Sequence, residues 1–425
     1  MEKNNKDNSK KIWDNTSYRW WFGADSSYQL SSSIVHFVIP LLIIQSTGST
    51  GFATTLSSLF ILVSTIVGIA GGVIQDRYER KRLMILNGAI SFLILVTTGS
   101  IIYFFGLKAK VVLVLSILLA LQEGFLGNTS NVILRSIVSS EQLPKAMSAN
   151  NARDTGMNIL GGPLGGFLMG IGSSLTLIVG SILCLASSFF TCGISKYWKN
   201  DTDVDTDSGK TKYRTAFMGF WWIIANSFQR RFLLTAACAA ASANAFLLLT
   251  VLEIAKNTSN NAMAGMVNTV AALGMLCGAI AATWLINRIR SGVLVALMFL
   301  NLTAGFILAT LIPNLWIKLI FIPISLFFLP AGSAVLGSFF NLLVRQENLG
   351  RFFAGCDLVT YLTLSIFTFG AGWIMEMWGY AVANLVIAIL LGVAAISALT
   401  LKPLIMMPEP KDWEEHIEKY NISQL

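Results

Sequence analysis

Six stretches of this chain, 51–75, 83–105, 111–133, 172–195, 291–312 and 379–401, carry almost no charge, and each runs about 20 residues or more. A hydrocarbon layer about 30 Å thick takes about 20 helical residues to cross. Inside it each backbone N–H and C=O must be satisfied within the segment, so such blocks are helices and not open strands. Charged residues make up 12% of the 425-residue chain, against about 25% in soluble domains. That is too little charge to solvate two or three globular surfaces, and the mean hydropathy is +0.66. With the less uniform apolar segments added, twelve spans are expected: 20–44, 51–75, 83–106, 111–134, 146–170, 172–195, 232–255, 262–287, 291–312, 315–342, 352–376 and 379–401. The expected fold is an all-α polytopic membrane protein.

The polar start, MEKNNKDNSKKIWDN, precedes a long segment with no small-residue cleavage site, so it is expected to be retained and not removed as a signal peptide. The five cysteines, Cys184, Cys192, Cys238, Cys277 and Cys356, lie in or at the ends of apolar blocks without paired spacing. They read as packing residues, with no disulfide or metal site implied.

A net charge of +8 raises the question of nucleic acid, and its distribution answers it. With a cytoplasmic N-terminus, outer loops hold only Lys108, Lys110, Lys256 and Lys318, and the other 26 of the 30 basic residues fall at the inner side. This is the positive-inside bias. The basic excess therefore reports topology and contact with the anionic inner leaflet of a cell (plasma or inner) membrane. Nucleic-acid binding does not fit it.

The expected organisation is a cytoplasmic tail (1–19), a six-helix bundle (20–195), a cytoplasmic linker (196–231), a second six-helix bundle (232–401) and a cytoplasmic tail (402–425). The linker begins Asp/Thr/Ser-rich, a composition that does not bury enough apolar surface to order itself. Its second half, Tyr213–Phe228, places Phe217, Phe220, Trp221 and Ile224 at helical spacing beside basic flanks. That pattern suits an amphipathic helix at the inner interface; a linker free of the membrane is the alternative. The halves also echo each other. EQLPKAMSANNARDTGMNILGGPLGGFL from Glu141 aligns with ENLGRFFAGCDLVTYLTLSIFTFGAGWI from Glu347 at an offset of 206, matching Glu141/Glu347, Leu143/Leu349, Lys145/Arg351, Asn151/Asp357 and Gly166/Gly372. Duplicated halves mark many secondary transporters, whose sites lie at the mid-membrane junction of the repeats.

Residues 71–82, GGVIQDRYERKR, form the expected inner turn between spans 2 and 3. Gly71 and Gly72 would end span 2 and permit close helix contact. Asp76 is placed to meet a helix N-terminus or a guanidinium such as Arg135. Arg77, Arg80, Lys81 and Arg82 anchor the turn at the headgroups. The cluster is either a latch, paired in one conformation and broken in another, or a topology anchor alone. Residues 72–81 resemble the loop 2–3 signature of the major facilitator superfamily, Gly-x-Leu-x-Asp-Arg-x-Gly-Arg-Lys, with Glu79 where that family usually has glycine. That substitution puts the usual tight turn in question and offers a further salt bridge. The counterpart after Gly278, AIAATWLINRIR, keeps Arg288 and Arg290 but no matching acid.

In span 5, Gly162, Pro163 and Gly166 resemble the Gly-Pro-x-x-Gly signature of the superfamily's antiporters. Pro163 removes a backbone donor and bends the helix, and Gly161, Gly162, Gly165 and Gly166 allow close packing; a glycine-rich packing face alone is the plainer reading. VSSEQLPKAMSANN with the following span resembles macrolide-efflux-like members, and the resemblance extends over nearly the whole chain. It implies two pseudo-symmetric six-helix bundles with both termini cytoplasmic and a multidrug or macrolide efflux activity, of the kind that confers antibiotic resistance. One departure is plain: no basic residue occurs between Lys110 and Arg135, where many antiporters of the family carry an arginine in span 4.

Proton-driven transport needs acids in an alternately exposed cavity of low dielectric. Asp25, in the polar stretch ADSSYQLSSSIVH of span 1, is the first candidate, and Glu123 in LALQEGFLGN of span 4 is the second. The plainer readings place Asp25 at the headgroups and Glu123 in a structural hydrogen bond. Arg153 and Asp154 are expected to pair structurally, Glu253 with Lys256 at an outer rim, and Glu376 at that rim too; Asp357 is ambiguous. Tyr28, Gln29 and His36 in span 1, with Asn244 and Phe246 in span 7, are candidate cavity residues, His36 being alternatively a satisfied core histidine. The expected cavity is apolar and aromatic with one or two acids, suited to amphipathic, often cationic substrates. No phosphate loop, metal cluster or nucleophile–base pair appears, so neither an enzyme, a cofactor nor ATP use is expected. The reading is a monomeric proton-coupled exporter of small molecules by alternating access; a metabolite or peptide transporter, or a non-transporting sensor or immunity protein of this fold, is the alternative.

Overall fold

The computed structural model describes residues 12–138, 142–195, 227–258, 261–312, 314–344 and 349–420, and all of its regular elements are helices. The first half comprises α1 (Thr16–Thr47), α2 (Thr50–Arg77), α3 (Arg80–Phe105), α4 (Ala109–Leu126), α5 (Thr129–Ile137), α6 (Leu143–Ile171) and α7 (Ser173–Cys192). The second comprises α8 (Ser227–Thr258), α9 (Asn261–Leu285), α10 (Ser291–Leu311), α11 (Leu315–Leu326), α12 (Leu329–Leu343), α13 (Leu349–Trp378) and α14 (Tyr380–Leu399), followed by α15 (Lys402–Ile405) and α16 (Trp413–Lys419). Most of the expected interfacial helix over 213–228 lies outside the described residues; Ser227 and Phe228 open α8.

Among the described residues eleven helical segments are long and apolar enough to cross a membrane, α11 and α12 together forming one of them. The segment expected as span 5, α6, is 29 residues long but too polar in its first half to join them. Membrane solvation is also written on the outside of the molecule. Leu93, Phe189, Ile280 and Ile396 are 57–69% exposed, whereas Ser31, Asn87, Gln122 and Thr176 are buried between helices.

Local chemistry sets the ends. Asn15 Oδ1 accepts from the Ser17 and Tyr18 amides to start α1, the side-chain capping that satisfies orphan donors. Gly48, at φ 70°, closes α1 in the left-handed region, and Ser49 Oγ caps α2 by accepting from the Phe52 amide. At the other end of α2 the helix does not stop at Gly71 and Gly72, as expected, but continues to Arg77. The turn is only Tyr78 and Glu79, both at negative φ (−106° and −63°), so it has no need of the glycine that Glu79 replaces. Glu79 also pairs with Arg82 at 2.7 Å.

Two expected spans are broken. Residues 111–134 divide into α4 and α5 at Gly127–Asn128, and 315–342 into α11 and α12 at Phe327–Phe328. Each break lies beside a glycine of a neighbouring helix. A Cβ on Gly71 would overlap the Gly124 carbonyl and come within 2.9 Å of Phe125 backbone; one on Gly278 would overlap the Phe327 carbonyl. Gly72, by contrast, has open space beside it.

Within the first half α1 packs on α6 and α7, α2 on α4, and α3 on α7; in the second, α8 packs on α13 and α14 and α10 on α14. The most extensive crossings between the halves are α2 with α13 and α6 with α9, and α1 also touches α8. The glycine run in α6 serves two partners. Gly161 and Gly165 face Ser33, Ile34 and Phe37 of α1, while Gly162 and Gly166 face Gly265, Asn268, Asn261 and Ala262 of α9. The repeat-mate of Gly166, Gly372 of α13, meets Thr54 of α2 so closely that a Cβ would overlap its hydroxyl.

The chain after α14 folds back on the second half. The Pro408 and Met407 carbonyls accept from the Ser291 and Gly292 amides at 3.3 and 3.1 Å, filling orphan donors at the start of α10. Trp413 Nε1 donates to Ser291 Oγ at 3.2 Å and its ring meets Phe339 edge-on at 5.7 Å. His416 Nε2 donates to the Pro403 carbonyl at 2.7 Å. Trp413→Ala should cost this strap about 3 kcal/mol. Tryptic cleavage of the strap at Lys411, which precedes Asp412, should then quicken about a hundredfold, since cleavage follows the population of the opened form; an unchanged rate would show that Trp413 does not hold it.

Candidate functional site

Between the halves lies a cavity of about 1020 Å³. Along α2 it runs from Gln75 and Gly72 to Ser57, and along α13 from Asp357 to Leu364. It is closed at the end where α1 joins α2. There Glu376 Oε2 accepts from the Thr50 amide at 2.7 Å, the Thr50 hydroxyl at 2.6 Å and the Gly51 amide at 3.3 Å, so that a carboxylate of α13 caps the N-terminus of α2. A negative group is stabilised at that position by the helix dipole. Trp373 Nε1 donates to Thr55 Oγ1 at 3.0 Å, and Ser58 and Ser365 hydroxyls meet at 2.7 Å beneath the cavity. No such bridging between α2 and α13 recurs toward the α2–α3 turn among the described residues, and the cavity lining reaches Gly72 and Gln75 at that basic end.

Four of the expected cavity residues, Tyr28, Gln29, His36 and Asn244, line it, and so do Glu123 and Gly72. Phe246 does not. It is fully buried and stacks on Phe306 at 4.1 Å, because two positions along a helix from Asn244 turn it into the core of the second half. The cavity is also less apolar than expected. Nearly half of its lining residues are polar, with Asn128, Asn158 and Asn268 among them. No Lys or Arg is among its described lining residues.

Glu123 and His36 come together across 87 residues of sequence, Oε2 to Nε2 at 3.1 Å. Both side chains are about two-fifths exposed to the cavity, and Phe60 packs edge-on against the imidazole at 4.7 Å. A carboxylate and an imidazole in contact titrate as one unit. The pair carries a charge of −1 with neutral histidine and zero after taking one proton, wherever that proton rests. Behind it, Gln122 Nε2 donates to Tyr28 Oη at 3.1 Å and to Asn87 Oδ1, which fixes Tyr28 at the cavity wall.

Asp25 is elsewhere. It is buried, does not line the cavity, and is held by Arg153. The Arg153 guanidinium also pairs with Asp154 at 2.7 Å and lies over the Trp21 and Phe22 rings at 5.4 and 5.1 Å. α6 thus supplies an arginine to a span-1 acid, span 4 having none. In the 2–3 region, Lys81 Nζ donates to the Cys192 and Ile194 carbonyls at the end of α7, and Arg80 donates to Ser136 Oγ at 3.1 Å. Arg77 is exposed. The side chains of Asp76 and Arg135 lie outside those described, so their pairing stays an expectation. Glu253 accepts from Asn257 at 2.7 Å, and no bond to Lys256 is present among the described contacts.

Sequence reasoning left Asp357 ambiguous and missed Tyr361 and Leu364, which with it line one wall from positions i, i+4 and i+7 of α13. That helical period was the available signal. Nothing in the sequence could have joined Asp25 to Arg153. Removing Arg153 leaves a buried uncompensated charge, so Arg153→Leu should destabilise the chain by about 3–5 kcal/mol. Asp25→Leu on that background should recover more than half of the loss in thermal unfolding; additive losses would show that the two do not act as a pair.

The fold recurs among solved transporters. The nucleoside transporter NupG superposes with a TM-score of 0.72 at 11% identity, over 90% of this chain and all of that one. A POT family transporter in complex with a thioalcohol-conjugated peptide gives 0.72 at 9%, over 91% and 96%. A bacterial homologue of the human lysosomal transporter Spinster, inward-facing and unoccupied, gives 0.65 at 16%, over 92% and 97%. None of the curated proteins matches. Residues 26–252 match the Major Facilitator Superfamily, more than half of the chain, and with the helical architecture and cavity described above this multi-pass membrane protein belongs to that superfamily.

Proposed function

We propose that the chain is a secondary active transporter that exports amphipathic small molecules, cationic ones among them, by proton antiport and alternating access in a cell membrane. The observation that carries this reading is the pair Glu123–His36 in a cavity of about 1020 Å³ that has no described lysine or arginine on its walls. The pair exchanges one negative charge for none on binding a proton. At an effective dielectric of about 20, unit charges about 8 Å apart interact by about 2 kcal/mol. Protonation of the pair would therefore weaken the hold on a cation about thirtyfold, and proton and substrate exclude each other as antiport requires.

With the basic end at the cytoplasm, as the Lys and Arg bias predicts, the cavity opens inward, the state named for the Spinster homologue. Outward opening would then break the Glu376 cap and the Ser58–Ser365 contact. Gly72, Asp76, Arg77, Arg80, Lys81 and Arg135 would stand where the inner end closes and act there as the latch. The α6 signature of Gly162, Pro163 and Gly166 supports the α6–α9 crossing on which the halves rock. Asp25, held by Arg153, would couple only if that pair opens, so Glu123 is the primary coupling group. A single chain builds the whole cavity, in keeping with a monomer. The amide-rich walls favour a second reading, a transporter of polar metabolites, which shares this machinery and differs in cargo.

Ethidium accumulation in cells expressing the wild type, Asp25→Asn and Glu123→Gln, with and without a protonophore, tests the proposal. Expected are lowered accumulation for the wild type, its reversal by the protonophore, and empty-vector behaviour for Glu123→Gln. A wild type equal to empty vector across a broad panel of cationic and neutral drugs would sink the export reading; efflux indifferent to the protonophore would sink proton coupling.

A further inference from the structure

Between Thr16 and Leu399, Asp25, Glu79, Glu123, Asp154, Glu253 and Glu376 each have a described hydrogen-bond or ionic partner. Asp357 has none among the described residues, and it is exposed on the cavity wall. A carboxylate at membrane depth is costly and persists where it serves a function. No described basic side chain of the cavity neutralises it, which leaves it open to a cation that enters the cavity.

The surroundings define that cation. Tyr361, one turn deeper on the same face of α13, is 45% exposed and offers an aromatic ring and a hydroxyl beside the carboxylate. Cations favour such a face. Asn244 of α8 and Asn268 of α9 also line the cavity, and neither amide has a hydrogen-bond partner among the described residues. Each amide offers two donors and an acceptor, the complement of hydroxyl and amide groups. The Glu123–His36 pair belongs to α4 and α1 of the first half, whereas Asp357, Tyr361, Asn244 and Asn268 all belong to the second.

We infer that Asp357 is the anchor for a cationic group of the substrate, that Tyr361 stands beside that group, and that Asn244 and Asn268 bind hydroxyl or amide groups of the same molecule deeper in the cavity. The substrate class is a monocationic amphipath bearing hydroxyl or amide groups. The second half holds cargo, the first half holds the proton. The inference rests on the transport reading above and adds to it a site and a chemical class.

The test uses the purified full-length chain in nanodiscs with two probes: tetraphenylphosphonium, a permanent cation without hydrogen-bonding groups, and erythromycin, an amine with several hydroxyls. Asp357→Asn should weaken binding of both by about tenfold or more, as loss of a partly desolvated charge partner does, and Asp357→Glu should restore most of it. Asn244→Leu with Asn268→Leu should weaken erythromycin about tenfold and leave tetraphenylphosphonium within about twofold. Undetectable tetraphenylphosphonium binding by the wild type, or unchanged binding by well-folded Asp357→Asn, overturns the site; so does equal loss of both probes in the asparagine variant. Any of these results alongside protonophore-sensitive efflux by the wild type would leave the transport reading standing, whereas loss of that efflux removes the transport reading itself.

Discussion

The close approach of α2 to α13 and of α6 to α9 is the constraint on which the rest of the structure depends. In lipid there is no hydrophobic force to press helices together, so association relies on packing and on hydrogen bonds between backbones brought near by small residues. Gly372 against Thr54 and Gly166 against Asn261 meet this requirement at positions related by the internal repeat. The Glu376 cap on α2 and the Ser58–Ser365 contact add polar bonds to the first crossing. Helices pinned together at one end and free at the other enclose a wedge of space, and that wedge is the cavity.

Charge is distributed according to the same division. In the first half, Arg153 is shared by Asp25 and Asp154 and covered by Trp21 and Phe22. A buried pair of this kind is weak evidence of net stability but costly to break singly, which suits an element that keeps α1 and α6 moving as one body. Lys81 similarly ties α3 to the end of α7. Charges that face the cavity are fewer and looser: Glu123 with His36, and Asp357. Buried pairs tie helices together within the first half, while the charges that face the cavity stay accessible, an arrangement in keeping with the proposed rocking of the halves.

Most of the architecture was legible from the sequence because bilayer thickness imposes a length on every apolar block. Ten expected spans coincide with continuous long helices, and the caps at Asn15, Gly48 and Ser49 follow from residue type. The misreadings have physical causes. Spans 4 and 10 read as continuous because hydropathy does not register the backbone contacts of Gly71 and Gly278 that accompany their breaks. Gly71 and Gly72 read as a helix end because glycine and charge together resemble a turn, yet the helix runs through both, and Gly71 is where α4 packs closely against it. Phe246 was drawn into the cavity by its proximity to Asn244, though two residues along a helix face different ways.

By itself the sequence determined that the chain enters a membrane as helices, which end of them is basic, that its halves echo each other at a fixed offset and which residues are dear to bury. These follow from local rules of solvation, charge and repeat that act on neighbours in the chain. Tertiary structure alone decided that His36 meets Glu123, that Arg153 and not a span-4 residue claims Asp25, and that Asp357 is left without a described partner. Such pairings depend on distances across helices that are remote in sequence, and the cost of an unpaired charge has no value until the surrounding walls are in place.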